Sequence, residues 1–154
     1  MVFSGCKNAP GSHCGGHGGK PYTNVAASPV IAEKPFITEN GGRYTLNVPR
    51  VERNKVGNSG PNYDNVDKVD FSKVFVANEH NSASDINSKL DQGFHVVLQP
   101  GNYRLTDSIR VNKPGQVVLG IGLATLISTT GKSCIEIGDV DGVRVAGVLL
   151  DAGQ

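Results

Sequence analysis

The chain has 154 residues, of which 38% are hydrophobic and 19% charged, with a formal net charge of +1 at pH 7. These values predict a folded domain with its own core and exclude disorder by composition. The near-neutral charge gives no reason to expect a nucleic acid or an anionic membrane as a partner, and no apolar run approaches the length that spans a bilayer.

The first segment, residues 1–29, is rich in Gly, Pro, Ser and Asn and has neither a helical nor a strand period. It predicts an irregular, Gly-rich tail of a preceding domain. Its "CKNAPGSHCGGHGG" contains Cys6, His13, Cys14 and His17. A short Cys6–Cys14 disulfide is favoured over a zinc site, because zinc ligands usually come as two spaced pairs. We therefore expect neither a metal nor a cofactor.

Residues 30–69 predict short strands and a linker. "VIAEKPFIT" and "RYTLNVPRV" are the strand candidates, and the second alternates apolar and polar side chains. "ENGG" between them predicts a hairpin turn, while residues 53–67 consist of turn formers.

Residues 70–154 predict a capping helix followed by the first coils of a parallel β-helix. "FSKVFVA" is a strand candidate, and "SASDINSKLDQG" predicts one short helix over about residues 84–92, with Ser82 or Ser84 as its N-cap. Ile86 and Leu90 would share a buried face, and Gly93 stands where a left-handed residue ends a helix.

A repeat organises the rest of the chain. "HVVLQPGNYRL" aligns with "QVVLGIGLATL" at an offset of 21, and "SIRVNKPGQVVLG" aligns with "CIEIGDVDGVRVA" at an offset of 26. Strands and turns that repeat at this period without helices predict a parallel β-helix, in which each coil stacks on the previous one. The alternative is an antiparallel β-sandwich with chance similarity. Because the chain stops within a coil, we expect its open end to pair with further chain or with a second copy.

The repeat also suggests the surroundings of the charged residues. Arg110 and Glu136 occupy equivalent outward positions, as do Lys113 and Asp139, so a solvated ladder of opposite charges is favoured over a substrate site. Glu136 and Asp151 are the weak candidates for a catalytic carboxylate pair.

Arg110 and Arg144 are the weak candidates for substrate contacts. Both are cations in the repeated part of the chain.

The strings "GFHVVLQPGNYRLTDSIRVNKPGQVVLGIGLATLIS", "DVDGVRVAGVLLDAG" and "SHCGGHGGKPYTNVAASPVIAEKPF" resemble a family of secreted fungal and bacterial proteins with a pectate-lyase-like (pectin-lyase-like), right-handed parallel β-helix. Members are often labelled adenylyl cyclase or coagulation factor 5/8-type proteins, and their β-helix is similar to that of the family 55 exo-β-1,3-glucanases.

The resemblance implies an all-β fragment of a larger protein with two β-helices. It also implies secretion, a glucan-like polysaccharide as the partner, and hydrolysis by two carboxylates located mostly in other coils. A non-catalytic carbohydrate-binding or structural β-helix module is the alternative. No catalytic motif of the family maps onto these residues.

Overall fold

The computed structural model describes residues 1–57 and 64–153, without the side chain of His17. It forms two compact units: Met1–Glu33 with Val48–Asp67, and Lys34–Asn47 with Lys68–Gln154. The strands in chain order are β1 (Val2–Ser4), β2 (Thr23–Val25), β3 (Ser28–Ile31), β4 (Phe36–Asn40), β5 (Arg43–Pro49), β6 (Glu52–Lys55), β7 (Val66–Asp70), β8 (Val74–Ala77), β9 (His95–Leu98), β10 (Asn102–Leu105), β11 (Ile109–Val111), β12 (Val117–Ser128), β13 (Ile135–Ile137) and β14 (Arg144–Asp151). The helix α1 spans Ala83–Asp91, and 3-10 turns span Gly16–Gly18 and Phe71–Lys73.

The first unit is more regular than the sequence predicts. Strands β1 and β2 pair in parallel, with Val2 opposite Thr23, and β3 pairs with β6 in antiparallel fashion. Each strand has only three or four residues, which is too short for a side-chain alternation to be visible in a Gly-rich sequence. Residues 1–29 therefore contain strands where the sequence predicts irregular chain.

The predicted hairpin at "ENGG" is confirmed in the second unit. Strands β4 and β5 are antiparallel, and Asn40 pairs with Arg43 across the two-residue turn. Gly41 and Gly42 have φ values of 58° and 82°, which glycine adopts without steric cost. The predicted strand at "VIAEKPFIT" is two strands, since β3 ends at Ile31 and β4 begins at Phe36.

The rest of the second unit is a stack of parallel coils, as predicted. The first face consists of β8, β9, the first part of β12 and the first part of β14, hydrogen-bonded in that order. The second face consists of β10 and the later parts of β12 and β14. The third face pairs β11 with β13. The coils that begin at β9 and at β12 each contribute one rung to all three faces, and equivalent rungs lie about 4.8 Å apart.

The core lies inside the coils and beneath α1. Its central side chains come from all three faces and from the helix, and all are at most 3% exposed: Ala77, Ala83, Ile86, Leu90, Val96, Leu98, Tyr103, Leu105, Ile109, Val111, Val118, Ala124 and Leu126. Val97, Val117 and Leu119 alternate with core residues on the first face, yet they are also at most 2% exposed. The β9 and β12 rungs of the first face are therefore buried on both sides.

The predicted offsets are correct on the third face and wrong on the other two. Ile109 pairs with Ile135, as the offset of 26 requires. On the first face, however, Val96 pairs with Val118, an offset of 22 in place of 21. A strand buried on both sides is continuously apolar, so matching "VVL" strings leaves its register undetermined by one residue.

The capping helix is confirmed within one residue of its predicted ends. Ser82 is the N-cap and forms a capping box with Asp85, since the Ser82 hydroxyl accepts from the Asp85 amide and the Asp85 carboxylate accepts from the Ser82 amide. Ile86 and Leu90 are buried, and Gly93 has a φ of 93°. The box and the apolar stripe fix both the start of α1 and the side it presents to the coils.

Helix α1 takes the place of a strand below β11. The Asn87 side chain is 4% exposed; its Nδ2 donates to the Ser108 carbonyl at 2.9 Å, and its Oδ1 accepts from the Arg110 amide at 2.8 Å. These are the two backbone groups that flank Ile109, and a parallel strand would bond the same two. The side-chain amide of Asn87 therefore makes the two hydrogen bonds that a neighbouring strand would make, and it closes this end of the third face.

Tyr103 shows how a polar atom is accommodated in the core. The residue is fully buried, and its hydroxyl lies 2.9 Å from both the Ala77 and Gln99 carbonyl oxygens. Burial raises the pKa of Tyr103 to about 12. The hydroxyl therefore stays a donor throughout the accessible pH range.

Replacing Tyr103 with phenylalanine is expected to lower the free energy of unfolding by about 1 kcal/mol, because a buried donor is lost. Urea unfolding measures this loss of stability. Tyr44→Phe is the control, since Tyr44 is 53% exposed. Equal midpoints for the two variants would show that the buried hydroxyl contributes no stability.

Candidate functional site

A group of polar side chains lies at the corner before the third face, at the starts of β11 and β13. We call it the corner cluster: Asp107, Ser108, Arg110, Lys132, Ser133 and Glu136. Asp107 is its centre, with Oδ2 2.9 Å from Arg110 Nη1 and Oδ1 3.0 Å from Lys132 Nζ. The Arg110 guanidinium, then Lys132 and the Ser108 amide, hold the pKa of Asp107 well below its usual range. Asp107 is therefore a permanent anion and cannot serve as a proton donor near neutral pH.

Glu136 is the other carboxylate of the corner cluster. Its Oε1 lies 2.8 Å from Ser108 Oγ and 3.2 Å from Ser133 Oγ. Ser108 Oγ also lies 2.6 Å from the Ser133 carbonyl, so its single proton serves one acceptor at a time. Hydroxyl groups of two successive coils thus position Glu136.

The predicted ladder is confirmed in register at Arg110 and Glu136 and corrected in its bonds. Arg110 is directly opposite Glu136, but the guanidinium makes its ion pair with Asp107, three residues earlier, while Glu136 acts on it only through space. Lys113 and Asp139 make no ion pair within residues 1–57 and 64–153. Asp107 was not predicted, because its partners come from a strand and from a loop of the next coil.

Glu136 and Asp151 lie in different sheets. Glu136 is on β13, on the third face, whereas Asp151 is at the end of β14, on the second face and opposite Ile127. The Asp151 Oδ1 accepts from the Gly153 amide at 2.8 Å. Each carboxylate thus has its own partners, and no described contact joins the two.

Arg144 is turned towards its own chain. It is half-buried, it pairs with Val117, and its Nη1 lies 3.3 Å and 3.4 Å from the Gly142 and Val143 carbonyl oxygens. Arg110 is more available, with 44% of its side chain exposed.

The cysteines are free thiols in the structure. Cys6 and Cys14 are exposed, and Cys6 Sγ lies 3.6 Å from the Ser4 carbonyl, so the predicted disulfide is not formed there. His13 stacks on Tyr22 with ring centroids 5.6 Å apart, while the His17 side chain lies outside the described residues. No group of three or more His, Cys, Asp and Glu suited to a metal occurs among the residues described.

Sequence reasoning missed an apolar groove of about 650 Å³ in the second unit. Its walls come from residues 34–37, 119–123 and 147–149, and Lys34 is its single charged lining group. Leu123 stands at its edge, 80% exposed and with a φ of 65°. The groove offers apolar contact and a cation, but no carboxylate for acid–base chemistry. Its sequence signal is the apolar "GIGLAT" at a coil corner.

The stacked coils and their solvent-facing polar ladder define a parallel β-helix of the pectate-lyase-like class. The chain belongs to the LAM55 pectate lyase-like domain family, whose family model matches residues 74–154. This assignment confirms the resemblance found in the sequence. In the part of the chain that the structure describes, no helix combines the length and apolar character needed to cross a bilayer.

Relatives extend the similarity to nearly the whole chain. An exo-β-1,3-glucanase of Streptomyces sp. (strain SirexAA-E / ActE) is 37% identical over 154 residues, which are 99% of this chain and 25% of that protein. The structure of sacteLam55A from Streptomyces sp. SirexAA-E matches 97% of this chain and 27% of its own, with a TM-score of 0.85 and 36% identity. A variant of that enzyme in complex with glucose matches with a TM-score of 0.86. The chain thus spans about a quarter of the relative's length.

Proposed function

We propose that these residues are part of a secreted exo-β-1,3-glucanase that hydrolyses a wall glucan. The identity of 37% across 99% of the chain to a glucanase carries the proposal. It is supported by the TM-score of 0.85 and by the glucose complex of the relative's variant.

The chemistry of such an enzyme needs two carboxyl groups across the scissile bond, about 5–10 Å apart. One protonates the leaving oxygen, and the other attacks the sugar or activates water. Glu136 and Asp151 lie in different sheets and bond to different partners, which does not support them as such a pair. The proposal therefore assigns the reacting pair to residues outside this chain.

These coils would act as a rigid wall along which the glucan lies. Arg110 is the better placed of the two candidate arginines, because its guanidinium is part of a solvent-exposed cluster while that of Arg144 bonds its own backbone. Free guanidinium donors suit the hydroxyl groups of a sugar.

The test is sugar release by the full-length protein from a soluble β-1,3-glucan, with a β-1,4-glucan and pectin as controls. We expect glucose from the β-1,3-glucan alone. Retention of the glucan without any sugar release would overturn the proposal in favour of the non-catalytic module.

Glu136→Gln and Asp151→Asn locate the chemistry. Each variant is expected to keep turnover within about twofold of the parent protein, whereas loss of an acid–base group costs about a hundredfold or more. A loss of that size in either variant would move the reaction into these coils.

A further inference from the structure

His95 occupies the junction between the first two complete coils. It opens β9, is half-buried, and pairs with Val74 of β8. Its Nδ1 accepts a hydrogen bond from the Val117 amide at 3.2 Å. Val117 opens β12 and is fully buried, so its N–H has no access to water as a substitute partner. A side chain therefore makes the hydrogen bond that starts this rung.

Gln116, the residue before Val117, also holds the start of β12 through its side chain. The side-chain Nε2 of Gln116 donates to the Leu90 carbonyl at 2.8 Å and to the Phe94 carbonyl at 2.9 Å. Together, Gln116 and His95 join the start of β12 to the end of α1 and the start of β9. Of these two side chains, only the imidazole changes its bonding with pH.

Protonation reverses the role of the His95 nitrogen. The neutral ring accepts at Nδ1, whereas the imidazolium carries a proton on both nitrogens and accepts at neither. A proton at Nδ1 would face the Val117 N–H, so the ring must turn away and leave a buried donor without an acceptor. Burial, reinforced by Lys73, lowers the pKa of His95.

The charges on the surrounding elements do not offset this loss. Lys73 lies on the 3-10 turn before β8, and the Asp70 carboxylate beside it is engaged by the Ser72 amide. On α1, Lys89 lies over the Phe94 ring, with Nζ 5.5 Å from its centroid. On the neighbouring rung, Arg144 of β14 is opposite Val117.

The remaining charged groups of these elements point to other partners. On α1, Asp85 caps the helix and Asp91 acts on Arg110. On β14, Asp151 bonds the Gly153 amide. A proton on His95 thus gains no carboxylate among its described neighbours.

We propose that His95 is a proton-sensitive latch that fastens the start of β12 to the coil below and releases it when the ring is protonated. The folded protein takes up this proton at a lower pH than the unfolded chain does. The latch therefore contributes its full stability above the ordinary histidine pKa of about 6.5, and that stability is lost as the pH falls below this value.

The direct experiment is NMR on the protein, following the His95 ring and the Val117 amide from pH 7.5 to pH 5. After correction for intrinsic exchange, we expect the Val117 amide to exchange about fivefold faster once His95 is protonated. The two midpoints should coincide. Unchanged protection of Val117 through the whole His95 titration would overturn the latch.

Two variants give an independent reading. His95→Gln keeps an acceptor that does not titrate, so its melting temperature is expected to fall less between pH 7.5 and pH 5 than that of the parent. His80→Gln removes an exposed histidine and should follow the parent. If His95→Gln instead loses as much as the parent over this range, another group controls the pH dependence and the latch is refuted.

Discussion

Replacing Gly147 with alanine is expected to lower the free energy of unfolding by about 3 kcal/mol, from two separate causes. Gly147 has a φ of 69°, which costs an L-residue strain, and a Cβ there would lie 2.2 Å from the Gly120 carbonyl oxygen. The oxygen belongs to the backbone of the adjacent coil, so it cannot move aside as a side chain would. Urea unfolding gives the loss directly.

Two other glycines separate the causes. Gly120 lies outside the left-handed region, but its Cβ would meet the Gly147 oxygen at 2.3 Å, so Gly120→Ala tests the close approach alone. Gly131 has a φ of 75° with no atom within 4 Å, so Gly131→Ala tests the strain alone and should cost about 1 kcal/mol. If Gly147→Ala cost no more than Gly131→Ala, the coils would be able to separate at this corner.

The same corner explains why the repeat was only partly predictable. Strand β12 pairs with β14 from Val117 to Leu119 and again from Ala124, while β14 has only Gly147 between the partners Ala146 and Val148. Residues 120–123 thus bulge opposite the single Gly147. An alignment of matching strings has no means of placing such a bulge, because its extra residues lie inside β12 at a coil corner, where the strings do not match.

The third face was predictable for the opposite reason. "IRV" and "IEI" alternate apolar and charged side chains, so a slip of one residue would place Arg110 or Glu136 on the apolar side. The helix was predictable because its capping box, apolar stripe and final glycine all agree. Local signals therefore gave the elements and the register of the third face. The other registers depend on residues at the coil corners, which no local signal predicted.

The candidate site was also predictable only where it depends on strand register. The Arg110–Glu136 juxtaposition was visible because it follows from the strand register. The position of Asp107 was not, since Arg110 and Lys132 reach it from a strand and from a loop of the next coil. The apolar groove has no repeat signature, because part of its wall comes from residues 34–37, far away in the sequence.

Replacing Asn87 with leucine is expected to cost about 3 kcal/mol, because an apolar side chain cannot make the hydrogen bonds of the amide. It would leave the Ser108 carbonyl and the Arg110 amide buried without the partners that the Asn87 amide supplies. Because these groups form the edge of β11, the variant should also expose a strand edge able to pair with another chain. Urea unfolding and sedimentation measure the two effects.

Asn87→Asp tests the hydrogen bonds with almost no change of shape. A carboxylate accepts from the Arg110 amide but cannot donate to the Ser108 carbonyl, so the charged form is disfavoured and the folded-state pKa of the new carboxyl is raised. A raised pKa gives stability that is present below the unfolded value of about 3.9 and lost as the pH rises towards the folded value. The deficit relative to the parent should therefore widen between pH 3 and pH 7, by about 2 kcal/mol. Ser84→Asp adds the same charge at an exposed position of α1 and should show no such widening, so parallel pH profiles for the two variants would rule out the strand-like role of Asn87.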